Sequence, residues 1–598
     1  MRQLMDPNLR DRGTGAKPAA GVARRMLYMA VRALKPATRN LAYTTVVLAM
    51  ACSSFAGSKL APDLPGDPKA TVDVIVQFTN PPTKQQLKQL GAYGKMKHIF
   101  DGINAAHLTL PMSVVQALGS DPSIHYISPD RNMAGSLDLV DPTVNATLAW
   151  QYGFDGTGVG VAVIDSGITL KHDLMAKDMI NPRVIYSESF VPGQDASDLY
   201  GHGTHVAGIV AANGYDSIGA GYTRTYKGVA PNANIINLKV LDQNGGGTES
   251  GVIAAIQRAI QLQGTYNIRV LNLSLGHPVY ESYKLDPLCQ AVEQAWQAGI
   301  VVVVAAGNYG RDNSHGTHGY GTIASPGNDP YVITVGATNM KGTVTRLDDT
   351  VTSYSSKGPT AVDHIVKPDL VAPGNSIVSL LASPTCTLIQ MFPRTQVNPN
   401  NYETWGTYSS AGNYFRLSGT SMATPVVSAA AAILIQKTPS LTPDQVKARL
   451  MKTATKVMPL YMTGTDIISM LSFSMQSDIF SVGAGYLDIN AALASTDMVT
   501  MPALSPAVSY NSSTHKVTFL RDFSVVWGDS VVWGDCVVWG NAVFNGTLNG
   551  TSVVWGDSVV WGDTTATGFS VVWGDSVNAG SAMQASSADD GDDDGTGL

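Results

Sequence analysis

Short apolar runs alternate with helical segments over residues 141–494, and this alternation constrains the fold more than any other feature. The apolar runs are residues 159–164, 235–240, 270–273, 300–305 and 332–335. The helical segments are residues 205–212, 250–261, 288–298 and 423–436. Buried apolar strands that alternate with helices predict an α/β fold, with a parallel sheet covered by helices on both faces. Ligands of such sheets bind beyond the carboxyl ends of the strands, so polar residues there are the first candidates for a site.

Four polar residues lie at such positions. Asp165 ends the first run in VIDSG, and Asn308 follows the fourth run in VAAGN. His202 opens a helix in GHGTHVAG, and Ser421 opens another in GTSMATP. A serine becomes a nucleophile when a histidine takes its proton and a buried carboxylate orients that histidine. The amide of Asn308 and the N–H of Ser421 could together donate to an oxyanion.

Each of these residues also has an ordinary structural interpretation. An Asp after a strand is commonly a turn residue, and Thr-Ser before a helix is commonly a cap. His202 and His205 are three residues apart, but no acidic or Cys partner lies at zinc-ligand spacing. All four candidates lie at strand ends or helix starts of one α/β region, and this combination favours a nucleophilic site.

These motifs resemble those of the subtilisin-like (subtilase) serine peptidases. The chain order Asp, His, Ser is that of the subtilisins, and the resemblance covers roughly residues 141–494. It implies an endopeptidase that acts on proteins or peptides, with Asp165, His202 and Ser421 as the triad. Asn308 matches the oxyanion asparagine of the family, whereas His205 is left to helix packing. The chemistry implied requires no cofactor.

The resemblance also implies where substrate and metal would bind. Two edges resemble those that clamp an extended substrate as an added β-strand: Gly245, Gly246 and Gly247 on one side, and Ser274, Leu275 and Gly276 on the other. Asp173 matches a calcium ligand of the family, but the loop at 213–227 differs from the usual calcium loop, which leaves structural calcium an expectation without a ligand set. Residues 380–416 are an insertion before the serine, interpreted either as a wall of the substrate cleft or as a surface loop.

Two segments before residue 141 are typical of an exported precursor. Residues 1–56 are interpreted as a signal peptide region, because a basic stretch precedes an eleven-residue apolar run at 41–51 and small residues follow it. Residues 71–131 predict three strands and two helices, a small ferredoxin-like α+β domain. It resembles the inhibitory propeptide of the family, and its removal is expected somewhere in 130–143. The expected location is secreted or cell surface.

The C-terminal hundred residues have a composition of their own. Residues 500–514 are rich in Pro, Ser and Asn and are interpreted as a linker, and residues 578–598 as an acidic disordered tail. Between them, residues 524–577 repeat the hexapeptide SVVWGD and hold six of the nine Trp of the chain. Gly-Asp offers a turn at each repeat boundary. The repeats predict either a β-solenoid or ribbon with a row of Trp, or a poorly ordered stalk.

The charge distribution excludes one class of partner. Residues 1–56 have nine Lys and Arg against two Asp, and the rest of the chain carries a net charge of −14 within the total of −7. A protein this acidic is not expected to bind nucleic acid through phosphate contacts. The repeats suggest a cell-surface or matrix partner. The alternative function is therefore a surface-binding protein with an inactive peptidase scaffold.

Overall fold

A computed structural model shows two compact units in the chain, residues 1–132 and residues 133–598. It describes residues 59–511, except for 62–63, 66, 101–103, 130–136, 315, 405–411, 457, 467–468 and 470, and beyond them residues 516–520, 547–549, 554–555, 558–559 and 583–585. The predicted signal peptide region, most of the repeats and nearly all of the acidic tail therefore lie outside the described residues. No helix within the described ranges is long and apolar enough to cross a membrane.

The first unit is a four-stranded antiparallel sheet with two helices. Its elements in chain order are β1 (Thr71–Phe78), α1 (Lys84–Tyr93), β2 (Lys95–Phe100), β3 (Ala105–Pro111), α2 (Met112–Leu118) and β4 (Ile124–Pro129). The strand order is β2-β3-β1-β4, and every neighbouring pair is antiparallel. This is the ferredoxin-like arrangement predicted for residues 71–131, with one strand more than the three predicted.

The missing strand in that prediction was β2, at the edge of the small sheet. The core of the unit comes from alternate residues of its other strands, such as Val74, Leu108 and Ile127. The sequence of β2 is KMKHIF, and none of its side chains is fully buried. An edge strand with so little buried apolar surface has no periodicity by which the sequence could predict it.

The second unit holds the remaining strands and helices. Its strands are β5 (Gly160–Asp165), β6 (Val184–Ser189), β7 (Asn234–Lys239), β8 (Gly246–Gly247), β9 (Ile268–Leu273), β10 (Leu275–Gly276), β11 (Val301–Ala305), β12 (Ile333–Asn339), β13 (Thr350–Val351), β14 (Leu370–Pro373), β15 (Ile377–Leu380), β16 (Tyr414–Leu417), β17 (Tyr461–Thr465), β18 (Ser472–Gln476), β19 (Ala507–Asn511), β20 (Lys516–Leu520), β21 (Thr547–Asn549), β22 (Val554–Trp555), β23 (Ser558–Val559) and β24 (Met583–Ala585). Its helices are α3 (Leu137–Thr143), α4 (Ala146–Gln151), α5 (His202–Ala211), α6 (Glu249–Tyr266), α7 (Pro287–Gln297), α8 (Thr387–Met391), α9 (Thr420–Lys437), α10 (Pro443–Thr453) and α11 (Ile489–Ala494).

The main sheet of this unit is parallel, apart from one short strand. Its order is β13-β12-β11-β9-β5-β7-β6, with β14 also beside β12, and only β13 runs antiparallel to its neighbour among these strands. All residues of β5 and β11 are buried, as their continuous apolar runs predicted. The prediction of an α/β fold is confirmed.

Helices cover both faces of this sheet. α9 packs against α5, and α6 packs against α7. Both α6 and α9 contact β5 and β9. Successive residues of a strand point to opposite faces of the sheet, and all residues of β5 are buried, so both faces are covered here, as predicted.

The second unit extends past residue 494, and the predicted linker at 500–514 needs correction. Ser505 is buried, its N–H donates to the carbonyl of Pro330 at 2.9 Å, and its Oγ donates to Asp369 at 2.5 Å. Val366 and Val508 add backbone hydrogen bonds between this segment and the loop before β14. Residues up to Val508 therefore belong to the packed unit.

One boundary between repeats can be compared with the predicted turn. β22 and β23 pair antiparallel, with Trp555 opposite Ser558. Two residues separate these strands, which is the length of a tight hairpin connection. The remaining repeats lie outside the described residues, so the solenoid and the stalk both stay predictions.

Candidate active site

The side chains of Asp165 and His202 meet at the carboxyl end of β5. The Nδ1–H of His202 donates to Asp165 Oδ1 at 2.7 Å, and both side chains are buried. The N–H of Ser166 donates to the same oxygen at 2.7 Å. Within the part of the chain that the structure describes, His202 Nε2 has no hydrogen-bond partner. The pair thus places an imidazole with its proton held on Nδ1 and its other nitrogen available for chemistry.

A second carboxylate fixes the start of the helix that carries His202. Asp198 accepts hydrogen bonds from the N–H groups of Gly201 and Thr204 at 2.7 and 2.8 Å, and from Ser166 Oγ at 2.8 Å. Gly201 has a φ of 107°, in the left-handed region that favours glycine, and this backbone conformation directs its N–H towards Asp198. Burial raises the pKa of Asp198, while these hydrogen bonds oppose the rise. Sequence reasoning missed Asp198, although an Asp shortly before a helix start is a recognisable capping signal.

Gly203 allows α5 to approach the end of β5. Its N–H donates to Ser166 Oγ at 2.9 Å. A Cβ at this position would lie 2.2 Å from the carbonyl oxygen of Gly167 and 3.2 Å from the Cβ of Asp165. Only glycine therefore fits between the helix and the strand end at this separation.

Ser421 is the second residue of α9 and is bonded twice to Ser274. Its Oγ donates to the carbonyl of Ser274 at 3.1 Å, and Ser274 Oγ donates back to the carbonyl of Ser421 at 2.9 Å. Pro425 explains the second bond, because it lies inside the helix four residues later and has no N–H for that carbonyl. The hydroxyl of Ser274, the residue just before β10, replaces the missing donor and thereby fixes the backbone of Ser421.

Asn308 lies against the same helix start. Its Oδ1 accepts hydrogen bonds from the N–H and the Oγ1 of Thr420, at 2.9 and 3.0 Å. Thr420 Oγ1 in turn accepts the N–H of Gly307 at 3.2 Å. Because the carboxamide oxygen of Asn308 faces Thr420, the NH₂ group of Asn308 points away from Thr420. Thr420, which the sequence did not single out, fixes the orientation of this amide.

The fold brings the four predicted site residues to one edge of the sheet. β5 contacts α5 and α9, and these helices contact each other. Asp165 and His202 are directly bonded, whereas Ser421 and Asn308 are linked through Thr420 and the turn that opens α9. A carboxylate, an imidazole, a hydroxyl and an amide donor at one strand edge form the set that acyl transfer requires.

The two segments predicted to bind substrate lie beside the carboxyl ends of these strands. Gly246 and Gly247 form β8, and Leu275 and Gly276 form β10 directly after Ser274. Gly245 has a φ of 77°, and a Cβ there would lie 2.5 Å from the ring of Tyr200. The ring centroids of Tyr200 and His202 are 6.5 Å apart. Binding of substrate at these edges stays a prediction.

The insertion before the serine packs beside one of these edges. The N–H groups of Thr387 and Leu388 donate to the carbonyls of Leu199 and Tyr200, at 3.1 and 3.0 Å. Thr387 Oγ1 donates to the carbonyl of Gln243 at 2.7 Å. Of the two interpretations of residues 380–416, these contacts favour the wall of the cleft.

The surroundings of Asp173 do not fit the expected calcium site. Its Oδ1 accepts the N–H of Asp216 and its Oδ2 accepts the hydroxyl of Tyr414, both at 2.7 Å. Burial raises the pKa of Asp173 to about 6. Within the described ranges, no group of three or more His, Cys, Asp or Glu side chains could hold a metal ion. Asp173 is a buried hydrogen-bond acceptor.

His205 has the packing role that was expected of it. Its Nε2–H donates to the carbonyl of Ile377 at 3.0 Å, and its ring lies edge-on to Phe415 with centroids 4.9 Å apart. Burial, with the neighbouring His202, lowers the pKa of His205 to about 3. This imidazole is therefore neutral and supports the contact between α5 and β15.

Comparisons with known proteins agree with the geometry. The family model described as the subtilase family matches residues 156–470. The chain is 38% identical over 373 residues to the serine protease AprX of Bacillus subtilis (strain 168), covering 60% of this chain and 75% of that protein. It is 35% identical over 382 residues to subtilisin E of the same organism, covering 63% and 82%. A crystal structure of a cold adapted subtilisin-like serine proteinase matches at 30% identity and a TM-score of 0.35, covering 50% of this chain and 84% of that one.

The matched range begins just before β5 and contains Asp165, His202, Asn308 and Ser421. It ends before α11, so the ferredoxin-like unit and the repeats lie outside it. Sequence identity above 30%, over most of the length of two relatives named as a serine protease and a subtilisin, supports a serine endopeptidase. The chain belongs to the subtilase family.

Proposed function

We propose that this serine endopeptidase hydrolyses peptide bonds through Asp165, His202 and Ser421. The observation that carries the proposal is the buried 2.7 Å hydrogen bond from His202 to Asp165. Because the carboxylate holds the proton on Nδ1, Nε2 is the basic atom of the neutral ring. A base of this kind is what a serine hydroxyl needs to attack a carbonyl at neutral pH.

In the proposed reaction, Ser421 Oγ turns from the carbonyl of Ser274 towards His202 Nε2 and attacks the peptide carbonyl. His202 takes the proton of the hydroxyl and then gives it to the leaving amine. Asp165 stabilises the imidazolium that forms in between. The Nδ2 group of Asn308 and the N–H of Ser421 donate to the oxyanion. Water then attacks the acyl-enzyme in place of the serine, and His202 again acts first as base and then as acid.

Ser421→Ala tests the nucleophile directly. The wild type is expected to hydrolyse a small peptide and to be labelled by a fluorophosphonate probe at Ser421. The variant should lose labelling and about 10⁶ in kcat, a figure taken from the same change in a subtilisin. Ser428→Ala is the matched control, because this buried serine lies further along α9 and bonds to Asn272 at 2.8 Å. A wild type that is not labelled would instead support a surface-binding protein with an inactive scaffold.

We also propose that the enzyme is exported as a precursor and that residues 71–131 are its inhibitory propeptide. The ferredoxin-like fold of this unit and its position before the peptidase unit support this assignment. Self-cleavage is expected within 130–136, because residues 137–143 form α3, whose Val140 is buried in the core of the second unit. N-terminal sequencing of the exported protein tests the position. A Ser421→Ala precursor that matures in isolation would contradict self-processing.

The repeats at 524–577 are proposed to hold the enzyme at a cell surface or in a matrix. Repeated Val-Val-Trp faces are apolar, and exposed apolar surface of this kind commonly marks an interaction site. Removal of the repeats should release the enzyme from cells while small-peptide hydrolysis stays unchanged. Unchanged retention on cells would contradict this role.

A further inference from the structure

The C-terminal strand β24 lies between the two predicted substrate edges. It pairs antiparallel with β8 on one side and with β10 on the other. Gln584 stands opposite Gly246 and also opposite Gly276. β24 is thus the middle strand of a three-stranded sheet, which is the position that an extended peptide takes when it is bound by strand addition.

The direction of β24 leads its carboxyl end towards Ser421. Along β10, Gly276 pairs with Gln584 and Leu275 pairs with Ala585. The residue before Leu275 is Ser274, whose carbonyl accepts the hydroxyl of Ser421 at 3.1 Å. The carboxyl end of β24 is therefore the end nearer to the residue that contacts Ser421.

The other edge leads to the same place. Met583 pairs with Gly247 and Gln584 with Gly246, so the next step along β24 approaches Gly245. That glycine packs on the ring of Tyr200, and Tyr200 lies beside His202. On both edges, the carboxyl end of β24 is therefore the end nearer to the proposed triad.

We propose that the C-terminal segment of this chain is a substrate of its own active site. β24 is the bound part, and the bond proposed to be hydrolysed joins Ser586 to Ser587, because continuing the pairing of Leu275 with Ala585 by one residue would bring residue 586 to Ser274. The proposal rests on the proposed role of Ser421. It adds an internal substrate that lies at the opposite end of the chain from the propeptide.

The reaction is an ordinary hydrolysis. Ser421 Oγ bonds to the carbonyl carbon of residue 586, the C–N bond to residue 587 breaks, and His202 passes the serine proton to the new amine. Water then attacks the ester, which leaves a carboxylate on residue 586 and restores the hydroxyl of Ser421. Water is the only co-reactant. The products are a chain that ends at Ser586 and a peptide of residues 587–598, which contains the acidic run Asp589–Asp594.

Mass spectrometry of the C-terminus of the full chain tests the proposal. The wild type is expected to end at Ser586, and the Ser421→Ala variant from the same host to keep residues 587–598. Gln584→Pro removes an N–H from the middle of a strand that is paired on both sides, so it should weaken binding in the groove. Gln584→Ala keeps that N–H and is the matched control.

The expected pattern is that Gln584→Pro slows loss of residues 587–598 at least tenfold, whereas Gln584→Ala does not. All proteins except Ser421→Ala should hydrolyse a small peptide normally. A wild type that hydrolyses the peptide but keeps its last residues would overturn the C-terminal proposal alone. Loss of those residues from Ser421→Ala, or equal loss from both Gln584 variants, would also overturn it. Peptide hydrolysis by Ser421→Ala would instead overturn the proposed nucleophile.

Discussion

At the scale of single residues, Asn308 depends on Thr420 for its orientation. The two hydrogen bonds from Thr420 hold the amide oxygen, and the donor end is thereby directed away. An amide at the end of a strand is visible in the sequence. A threonine that orients it from a segment more than a hundred residues later becomes visible only in the fold.

The first prediction separates these two roles. Asn308→Ala should lower kcat by about 10²–10³ with little change in KM, a range taken from loss of one such donor in a subtilisin. Thr420→Val removes one of the two hydrogen bonds that orient Asn308 and should lower kcat by about tenfold. In the Asn308→Ala background, Thr420→Val should have no further effect. Steady-state kinetics on a small peptide measure all three, and independent, multiplying effects would contradict the positioning role.

The second prediction concerns the buried carboxyl of Asp173. Its pKa in the folded state, about 6, is above the ordinary value of 3.8, so folding favours its neutral form. The stability that it contributes is therefore fully present below pH 3.8 and is lost as the pH rises through 6. Asp173→Asn does not titrate, so its stability relative to wild type should increase by roughly 2 kcal/mol from pH 4 to pH 7.

Urea unfolding in the Ser421→Ala background measures this difference without self-digestion. Asp178→Asn is a control of opposite sign, because hydrogen bonds from Asn181 and Ile180 lower the pKa of that exposed carboxyl. Its contribution is present above the ordinary pKa and is lost as the pH falls. Stability curves for wild type and Asp173→Asn that stay parallel over this pH range would contradict the prediction.

At the scale of elements, the close approach of α5 to β5 depends on Gly203. The third prediction is that Gly203→Ala separates His202 from Asp165, because its Cβ would meet the carbonyl of Gly167 at 2.2 Å. Both kcat and the free energy of unfolding should fall, the latter by about 1–3 kcal/mol as in overpacked cores. Gly264→Ala is the control, since this helical glycine is exposed and has nothing within 4 Å of its Cβ position. It should stabilise α6 by up to about 1 kcal/mol, and equal effects at both sites would contradict the steric explanation.

The elements that the sequence predicted are those with a strong local pattern. β5 and β11 are apolar throughout and buried throughout. β6 was not predicted, because its residues, VIYSES, are only half-buried at the edge of the main sheet. β24 has only three residues and takes its partners from β8 and β10, far earlier in the chain. A strand defined by distant partners leaves no periodicity in its own sequence.

At the scale of the whole molecule, the peptidase unit ends after residue 500. The fourth prediction is that a chain ending at Thr514 folds and hydrolyses peptides normally, whereas one ending at Thr500 loses several kcal/mol of stability. The shorter chain lacks Ser505, which bonds to Asp369 and to Lys447 in a buried charged cluster, and therefore leaves these groups with fewer partners. Thermal unfolding of the two truncated proteins tests this, and identical melting temperatures would restore the linker interpretation.

The composition of residues 500–514 led to the wrong prediction of a linker. Pro, Ser and Asn are common in linkers, but Ser505 is held by a carboxylate and an ammonium group that lie far away in sequence. The four site residues were easier to find, because each occurs in a short motif at a strand end or helix start. The groups that support them, such as Asp198 and Thr420, were recognisable only after the fold had placed them.

The groove between β8 and β10 has a consequence for what the enzyme can digest. Because its occupant is the middle strand of a sheet, both sides of the bound backbone must be available for pairing. A helix, or a strand inside another sheet, has already used those groups. The stability of a target protein around the bond, rather than its surface exposure, would then set the rate of cleavage. Native proteins would be cut where a few residues open most readily, and resistance to this enzyme would measure local unfolding.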